Sequence, residues 1–182
     1  LDGLLKNQSD IQPDTIHGDT QSQSEAVFGL AYLLGIKLMP RIRGIKHLKL
    51  YRISKEDHFK HIDTLFKDTI KWELIESCLP DMLRIALSVK AGRINASTIL
   101  RRLGTYSRKN KLYLALRELG RVVRTVFLLQ YIAEAEIGEM IQAATCKSEE
   151  FNDFLQWVMF GNDGLIAENV RHEQQKIIKY NH

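Results

Sequence analysis

The sequence predicts an α/β fold that is mostly helical, with a few short strands near the start of the chain. Short segments of alternating polarity occur before residue 54, whereas apolar residues recur at helical spacing after it. The hydrophobic fraction of 45% and the charged fraction of 26% are typical of a globular chain rather than a disordered one. The 182 residues suffice for one domain with a core, or for part of a larger one.

The predicted strands lie within the first 53 residues. Pro13 ends an initial helical segment, and Gly35 ends the first complete helix, because glycine readily adopts the conformation that follows a helix. Pro40 favours an edge position or a break in its strand, since proline has no amide hydrogen to donate. The predicted elements are a helix end over 1–12, strands over 15–19, 36–43 and 48–53, and a helix that starts at Ser24 or Gln23 and runs to Leu34.

From Ser54 onward the chain is predicted to be a helical array. Pro80 suits the first turn of a helix, and Gly92 and Gly104 suit helix ends. The chain begins with Leu1 rather than methionine, inside a helical pattern, so we expect a piece of a longer protein. The predicted helices cover residues 55–78, 80–90, 96–103, 108–132, 134–145, 148–159 and 165–179.

The sequence excludes several classes of protein. Cys78 and Cys146 fit neither the spacing of a zinc site nor a disulfide framework. We find no signal peptide and no apolar span of about twenty residues. The apolar run over 122–132 is short, and Arg124 and Gln130 interrupt it, so it predicts a buried helix. We therefore expect a cytoplasmic protein with no membrane segment.

The basic charge is concentrated in one region. The net charge is only +4, but residues 90–117 contain eight lysines or arginines and no aspartate or glutamate. Local charge of this kind decides which partners a surface attracts more than the total does. The run predicts either a surface for an anionic partner or an ordinary solvated helical face.

Three arginines share one face of the helix predicted over 108–132. Arg117, Arg121 and Arg124 stand at positions i, i+4 and i+7, so we expect them to project together as a ridge. Such a ridge can grip phosphates through forked donors, or it can be an exposed polar face with no partner. The opposite, buried stripe is predicted to contain Leu112, Leu116, Leu119, Val123 and Val126.

Two acidic positions are candidates for a metal site. Asp19 stands at the end of a predicted strand and before a polar turn, where a carboxylate is both fixed and accessible. Glu149 and Glu150 lie far downstream on a predicted helix. Each has a structural alternative, a turn residue or helix N-cap for Asp19 and a surface helix residue for Glu149. Carboxylates that hold metal, combined with a basic surface, indicate phosphoryl transfer on nucleic acid.

Eight segments together resemble the C-terminal catalytic region of Tn3-family transposases, and the resemblance covers nearly the whole chain. Each segment alone is a weak signal, but the combination is highly specific. The segments are His17–Gln21, Val27–Gly35, Leu38–Arg43, Ser97–Leu103, Ser107–Asn110, Arg117–Thr125, Lys147–Asn152 and Ile178–Asn181.

The resemblance implies a replicative DNA transposase with an RNase H-like core that carries two aspartates and a glutamate. The second aspartate of the family corresponds to Asp19, and the glutamate to Glu149, with Glu150 beside it. Cys146 stands where the family usually has asparagine. The first aspartate is expected upstream of Leu1. The implied division is a partial core over 1–53, a basic helical insertion over 54–132 and C-terminal core helices over 133–182.

The implied reaction uses two Mg²⁺ ions, for which Mn²⁺ can substitute, held by Asp19 and Glu149. The resemblance implies DNA cleavage at transposon ends and attack of the freed 3′-hydroxyl on target DNA. It also implies a homo-oligomer, and a chain that is inactive without the first aspartate. The residues expected to bind DNA are Arg101, Arg102, Arg108, Lys109, Lys111, Arg117, Arg121 and Arg124.

The histidines bear on two other classes of site. A tyrosine recombinase needs a His-x-x-Arg pair, and no histidine here has arginine three residues on. His58 and His61 could bind metal at their helical spacing, but without a third ligand they are expected to be surface residues. The alternative that stays open is a helical DNA-binding or assembly module in which Asp19 and Glu149 are structural.

Overall fold

A computed structural model describes residues 1–11, 13–18, 23–42, 49–105 and 110–158. Its contacts divide the chain into two compact units, Leu1–Ile141 and Gln142–His182. Within the described part, the first unit holds all the strands, and the second contains the last part of a long helix. The three-part division predicted from the sequence stays a prediction.

The first unit begins with the short helix α1 (Asp2–Leu5), which a strand, a helix and a second strand follow. Strand β1 (Thr15–Gly18) and strand β2 (Lys37–Pro40) pair in parallel, with Gly18 opposite Pro40. Helix α2 (Glu25–Leu33) connects them, as parallel pairing requires a crossover. Gly35 follows α2 with φ of 77°, a conformation that glycine adopts without strain, so the predicted helix end is confirmed.

A second parallel pair corrects the helix predicted over 55–78. Strand β3 (Leu50–Arg52) pairs with strand β4 (Phe66–Thr69), which a 3-10 helix (Asp63–Leu65) precedes. The apolar residues around β4 recur at helical spacing, and for that reason the sequence predicts a helix there. Pairing with β3 decides the conformation instead, because a short strand depends on its neighbour more than on its own pattern.

Four helices complete the described chain: α3 (Trp72–Lys90), α4 (Ala96–Thr105), α5 (Lys111–Ala133) and α6 (Ala135–Val158). Pro80 lies inside α3 and does not start a helix as predicted. It shares an exposed face with Glu76, whose carbonyl can bond to water in place of the missing amide. Helix α6 is continuous where two helices, 134–145 and 148–159, were predicted. The helix predicted over 165–179 lies outside the described residues.

Helix α5 is the central helix of the first unit, and α2, α3 and β3 pack against it. Asp2 ties α1 to α4, since its Oδ1 accepts a hydrogen bond of 2.6 Å from the backbone amide of Ala96, in the manner of a helix cap. The prediction of a mostly helical α/β fold is confirmed. Fully buried core side chains include Phe28, Leu30, Met39, Leu50, Met82, Leu116, Leu128 and Ile141.

Candidate functional site

The carboxyl ends of β1 and β2 lie at the same edge of their sheet. The carbonyl of Gly18 accepts a hydrogen bond of 2.8 Å from the amide of Arg41, which fixes the last residue of β1. Asp19 follows Gly18 in the sequence and lies outside the described residues. In open α/β sheets, ligands commonly bind beyond the carboxyl ends of the strands. The fold therefore provides such an edge directly before the candidate aspartate.

A side-chain hydrogen bond connects the residues before α2 to Arg41, the residue that follows β2. The Nε2 of Gln23 donates a hydrogen bond of 2.7 Å to the carbonyl of Arg41. Ser24 then occupies the N-cap position, and Glu25 is the first residue of α2. Gly18, at the end of β1, and Gln23, before α2, thus both form hydrogen bonds with Arg41.

The carboxylate of Glu25 is a hub for one tyrosine and three arginines. The Tyr51 hydroxyl donates to Oε1 at 2.6 Å, and Arg117 donates to Oε2 at 2.9 Å and 3.2 Å. Arg121 donates to the same Oε2 at 3.2 Å. Arg124 is more distant, with 3.9 Å between its NH1 nitrogen and Oε1 of Glu25. The Glu25 side chain is only 13% exposed, so these contacts are largely shielded from water.

A second buried carboxylate extends this network. Glu118 accepts a hydrogen bond of 2.7 Å from Arg121 through Oε1 and one of 3.3 Å from the amide of Lys71 through Oε2. The guanidinium of Arg121 also lies 4.6 Å from the centre of the Tyr51 ring, a cation–π contact. Arg121 on α5 therefore contacts α2 through Glu25 and β3 through Tyr51, and Glu118 connects it to the start of α3.

The electrostatics of the hub favour charged Glu25 and neutral Tyr51. Burial alone would raise the pKa of Glu25, but hydrogen bonds from Tyr51 and Arg117 and the charges of Arg121 and Arg117 outweigh it. The pKa of Glu25 is therefore below its usual value. Burial, followed by the hydrogen bond to Glu25, raises the pKa of Tyr51 to about 12. The network therefore stays charged on its carboxylate over the neutral range.

Two glycines allow α2 and α5 to lie close enough for these contacts. A Cβ at Gly120 would stand 1.6 Å from the carbonyl oxygen of Glu25, and one at Gly29 would stand 2.3 Å from the carbonyl oxygen of Leu116. No side chain fits in either gap. Glycine inside a helix costs stability, and here the close helix crossing explains it.

The structure corrects the expected exposed ridge of arginines. Arg117, Arg121 and Arg124 do share one face, but their side chains are only 36%, 17% and 15% exposed because they converge on Glu25 and Glu118. The Nε of Arg124 is buried and has no hydrogen-bond partner among the residues that the structure describes. The predicted stripe opposite them is only partly buried, since Val126 is 52% exposed. The expectation that these three arginines bind DNA is untested, and their convergence on buried carboxylates argues against it.

The other basic candidates have a different environment. Arg101 and Arg102 on α4 and Lys111 at the start of α5 are exposed. Among residues 1–11, 13–18, 23–42, 49–105 and 110–158, none of the three forms an ion pair with a carboxylate. Arg108 and Lys109 lie outside the described residues. Exposed, uncompensated cations are the kind that contact phosphates.

The predicted glutamate belongs to the second unit. Glu149 and Glu150 are both exposed residues of α6. Within the described part of the chain, no three His, Cys, Asp or Glu side chains are grouped so that they could hold a metal ion. Likewise, no described helix is long and apolar enough to cross a membrane.

The sequence reading missed Glu25, Gln23, Tyr51 and the glycine contact. Glu25 carried a usable signal, because it is an isolated acid in the first turn of an otherwise apolar helix. Gly29 and Gly120, each in the middle of a helical pattern, pointed to close packing. The hydrogen bonds from Gln23 to Arg41 and from Tyr51 to Glu25 connect residues far apart in the sequence, so no local sequence pattern predicts them.

Comparison with known proteins identifies the family. A family model described as the Tn3 transposase DDE domain matches residues 1–182. The transposase for transposon Tn1546 of Enterococcus faecium is 36% identical over 177 residues, 97% of this chain and 18% of that protein. The transposase for transposon Tn501 of Pseudomonas aeruginosa is 36% identical over 176 residues, with the same coverage of 97% and 18%.

A third relative, the transposase for transposon gamma-delta of Escherichia coli K12, is 31% identical over 175 residues, 96% of this chain and 18% of that protein. The chain thus spans 18% of the length of each of these relatives. The resemblance predicted from the sequence is confirmed, and the chain belongs to the Tn3 transposase DDE domain family.

Proposed function

We propose that the protein carrying this chain acts in DNA transposition, cutting DNA at transposon ends and joining it to target DNA. The observation that carries the proposal is the family match over residues 1–182, which includes both candidate acidic motifs. The relatives are transposases for named transposons, which supports DNA as the partner. A homo-oligomeric assembly, as predicted from the sequence, forms part of the proposal.

Asp19 and Glu149 are assigned the role of ligands for a divalent cation, Mg²⁺ with Mn²⁺ as a substitute. The donor set fits in kind, because carboxylate oxygens are the hard ligands that Mg²⁺ prefers. When bound, the ions supply charge stabilisation at the phosphate and activation of the attacking oxygen.

The described residues contribute orientation and DNA binding. Pairing of β1 with β2, and the bond from Arg41 to Gly18, fix the strand that leads into Asp19. Exposed Arg101, Arg102 and Lys111 bind the phosphate backbone of DNA by charge, without reading its sequence. Arg108 and Lys109 extend this basic set along the sequence.

The test compares carboxylate variants in the full-length protein. Asp19→Asn and Glu149→Gln should each abolish divalent-cation-dependent cleavage of transposon-end DNA while DNA binding persists. Asp10→Asn and Glu150→Gln are the matched controls, because they neutralise nearby exposed acids without touching the proposed ligands. Loss of cleavage in Glu150→Gln but not in Glu149→Gln would assign the role of metal ligand to Glu150 instead of Glu149. Full cleavage by both ligand variants would contradict the proposal and favour a non-catalytic DNA-binding or assembly module.

A further inference from the structure

Helix α3 has two apolar faces. One of them is buried in the core of the first unit and consists of Ile75, Cys78, Met82, Ala86 and Val89. The other, which we call the leucine stripe, consists of Leu79, Leu83 and Leu87, which are 40%, 46% and 66% exposed. Their spacing of four residues places them in one row along the helix. Single exposed leucines are ordinary, whereas a row of three forms a continuous apolar surface.

A charged residue of opposite sign stands at each end of the leucine stripe. Glu76 lies three residues before Leu79, and Lys90 lies three residues after Leu87, so both continue the same row. Both are exposed, and none of the ion pairs between described side chains involves either of them. The exposed face of α3 therefore runs from an acidic end, across leucines, to a basic end.

The order of these residues is symmetric about Leu83. Leu79 and Leu87 lie four residues before and after it, and Glu76 and Lys90 lie seven residues before and after it. If two α3 helices pack antiparallel about a two-fold axis at Leu83, Leu79 of each copy meets Leu87 of the other, and Glu76 meets Lys90. Parallel packing would instead place like charges opposite each other, which is unfavourable.

We propose that the leucine stripe is a contact between two copies of the protein, with their α3 helices antiparallel and the two-fold axis at Leu83. The inference rests on the proposed function, of which a homo-oligomer is part. A two-fold contact requires a surface that is complementary to itself, and the symmetric order of apolar and charged residues meets that requirement. Helix α3 has 19 residues and is about 28 Å long, so the helix pair is one part of a standard interface.

The experiment reverses the charges and measures self-association of the full-length protein by analytical ultracentrifugation at low ionic strength, where exposed charges are least screened. Glu76→Lys and Lys90→Glu each replace two attractive pairs with two repulsive ones. Each should raise the dissociation constant roughly tenfold. The double variant exchanges the two charges and should associate like the parent.

A mixture of the two single variants separates a contact between copies from one within a copy. In a mixed dimer, both lysines of one copy face both glutamates of the other, so the equimolar mixture should associate as tightly as the parent. Glu139→Lys is the control, because it makes the same charge change at an exposed glutamate of α6 in the same unit. It should leave association unchanged. Since all the altered side chains are exposed, the thermal midpoints should stay within a few degrees of the parent.

The outcomes separate this contact from the proposed function. Association that is unchanged in both single variants, or that neither the double variant nor the mixture restores, would overturn the α3 contact. Another segment of the longer protein would then cover the leucine stripe, and the proposed function would stand. A full-length protein that stays monomeric would overturn the contact and the homo-oligomeric part of the proposed function, whereas its cleavage activity is decided separately by Asp19→Asn and Glu149→Gln.

Discussion

The exposed arginines of α4 and the enclosed arginines of α5 look alike in the sequence and differ in the structure. Arg101 and Arg102 project from α4 into solvent. Arg117 and Arg121 lie on α5 a few turns further along the chain, and there Glu25 accepts hydrogen bonds from both. No carboxylate in the described part of the chain forms an ion pair with the first pair, whereas the second pair is bound within the fold.

The difference shows that the role of a basic residue depends on carboxylates that can lie far away in the sequence. Glu25 is 92 residues from Arg117, and no local charge count includes it. Glu118, by contrast, is adjacent to Arg117 in the sequence. Its bond to Arg121 is nevertheless hard to predict, because an acid on a helix surface is usually solvated. The basic segment thus divides into a part that is exposed to solvent and a part that joins helices.

Removing the hub should have the largest effect on stability. Glu25→Ala removes the carboxylate that accepts hydrogen bonds from Arg117 and Arg121 and forms an ion pair with Arg124, and breaking such a partly buried network costs about 3 kcal/mol. We expect urea denaturation of the chain to show a loss of that size. Glu73→Ala, which removes an exposed glutamate of α3, should change the unfolding free energy by less than about 0.5 kcal/mol. Equal effects of the two substitutions would show that the hub is only a surface cluster.

Closing the gap between α2 and α5 should cost somewhat less. Gly120→Ala places a Cβ 1.6 Å from the Glu25 carbonyl oxygen, so the helices must separate, and overpacking of this kind costs about 1–3 kcal/mol. Gly138→Ala is the control, because its Cβ would meet the Tyr131 ring at an ordinary 3.7 Å. That control should gain up to about 1 kcal/mol from helix propensity. Stabilisation by both substitutions would contradict the close crossing.

Acid should weaken the α5 arginine network selectively. The pKa of Glu25 is lower in the folded chain than the ordinary glutamate value of 4.5, because Tyr51, Arg117 and Arg121 outweigh the effect of burial. Its contribution to stability is therefore complete above about pH 4.5 and is lost as pH falls below that value through the folded pKa. We expect the unfolding free energy of Glu25→Gln to decline less between pH 5 and pH 3 than that of the parent. Parallel declines in urea titrations across that range would contradict the assignment.

The fold was predictable where local signals were strong. Gly35 marked the end of α2, and the alternating segments marked β1, β2 and β3. Strand β4 was missed because pairing with β3, not its own pattern, makes it extended. The division of α6 into two helices was wrong because nothing at residues 146–147 interrupts the backbone bonds of a helix. Glu25 and the two glycines carried local signals, but the pairing of Glu25 with Arg117 and Arg121 could not be predicted, because it depends on how α2 and α5 cross, which helical periodicity does not encode.

The salt dependence of DNA binding tests the central contrast between the two basic regions most directly. Binding of the chain to non-specific duplex DNA should weaken with salt in proportion to the phosphates contacted, by a log–log slope of about 0.9 for each. Arg101→Gln with Arg102→Gln should reduce that slope by about 1.8 and leave the unfolding free energy within about 1 kcal/mol of the parent. Arg117→Gln with Arg121→Gln should leave the slope unchanged and destabilise the fold. A slope that falls in the α5 pair and not in the α4 pair would contradict the account, because the enclosed arginines would then be the ones that hold DNA.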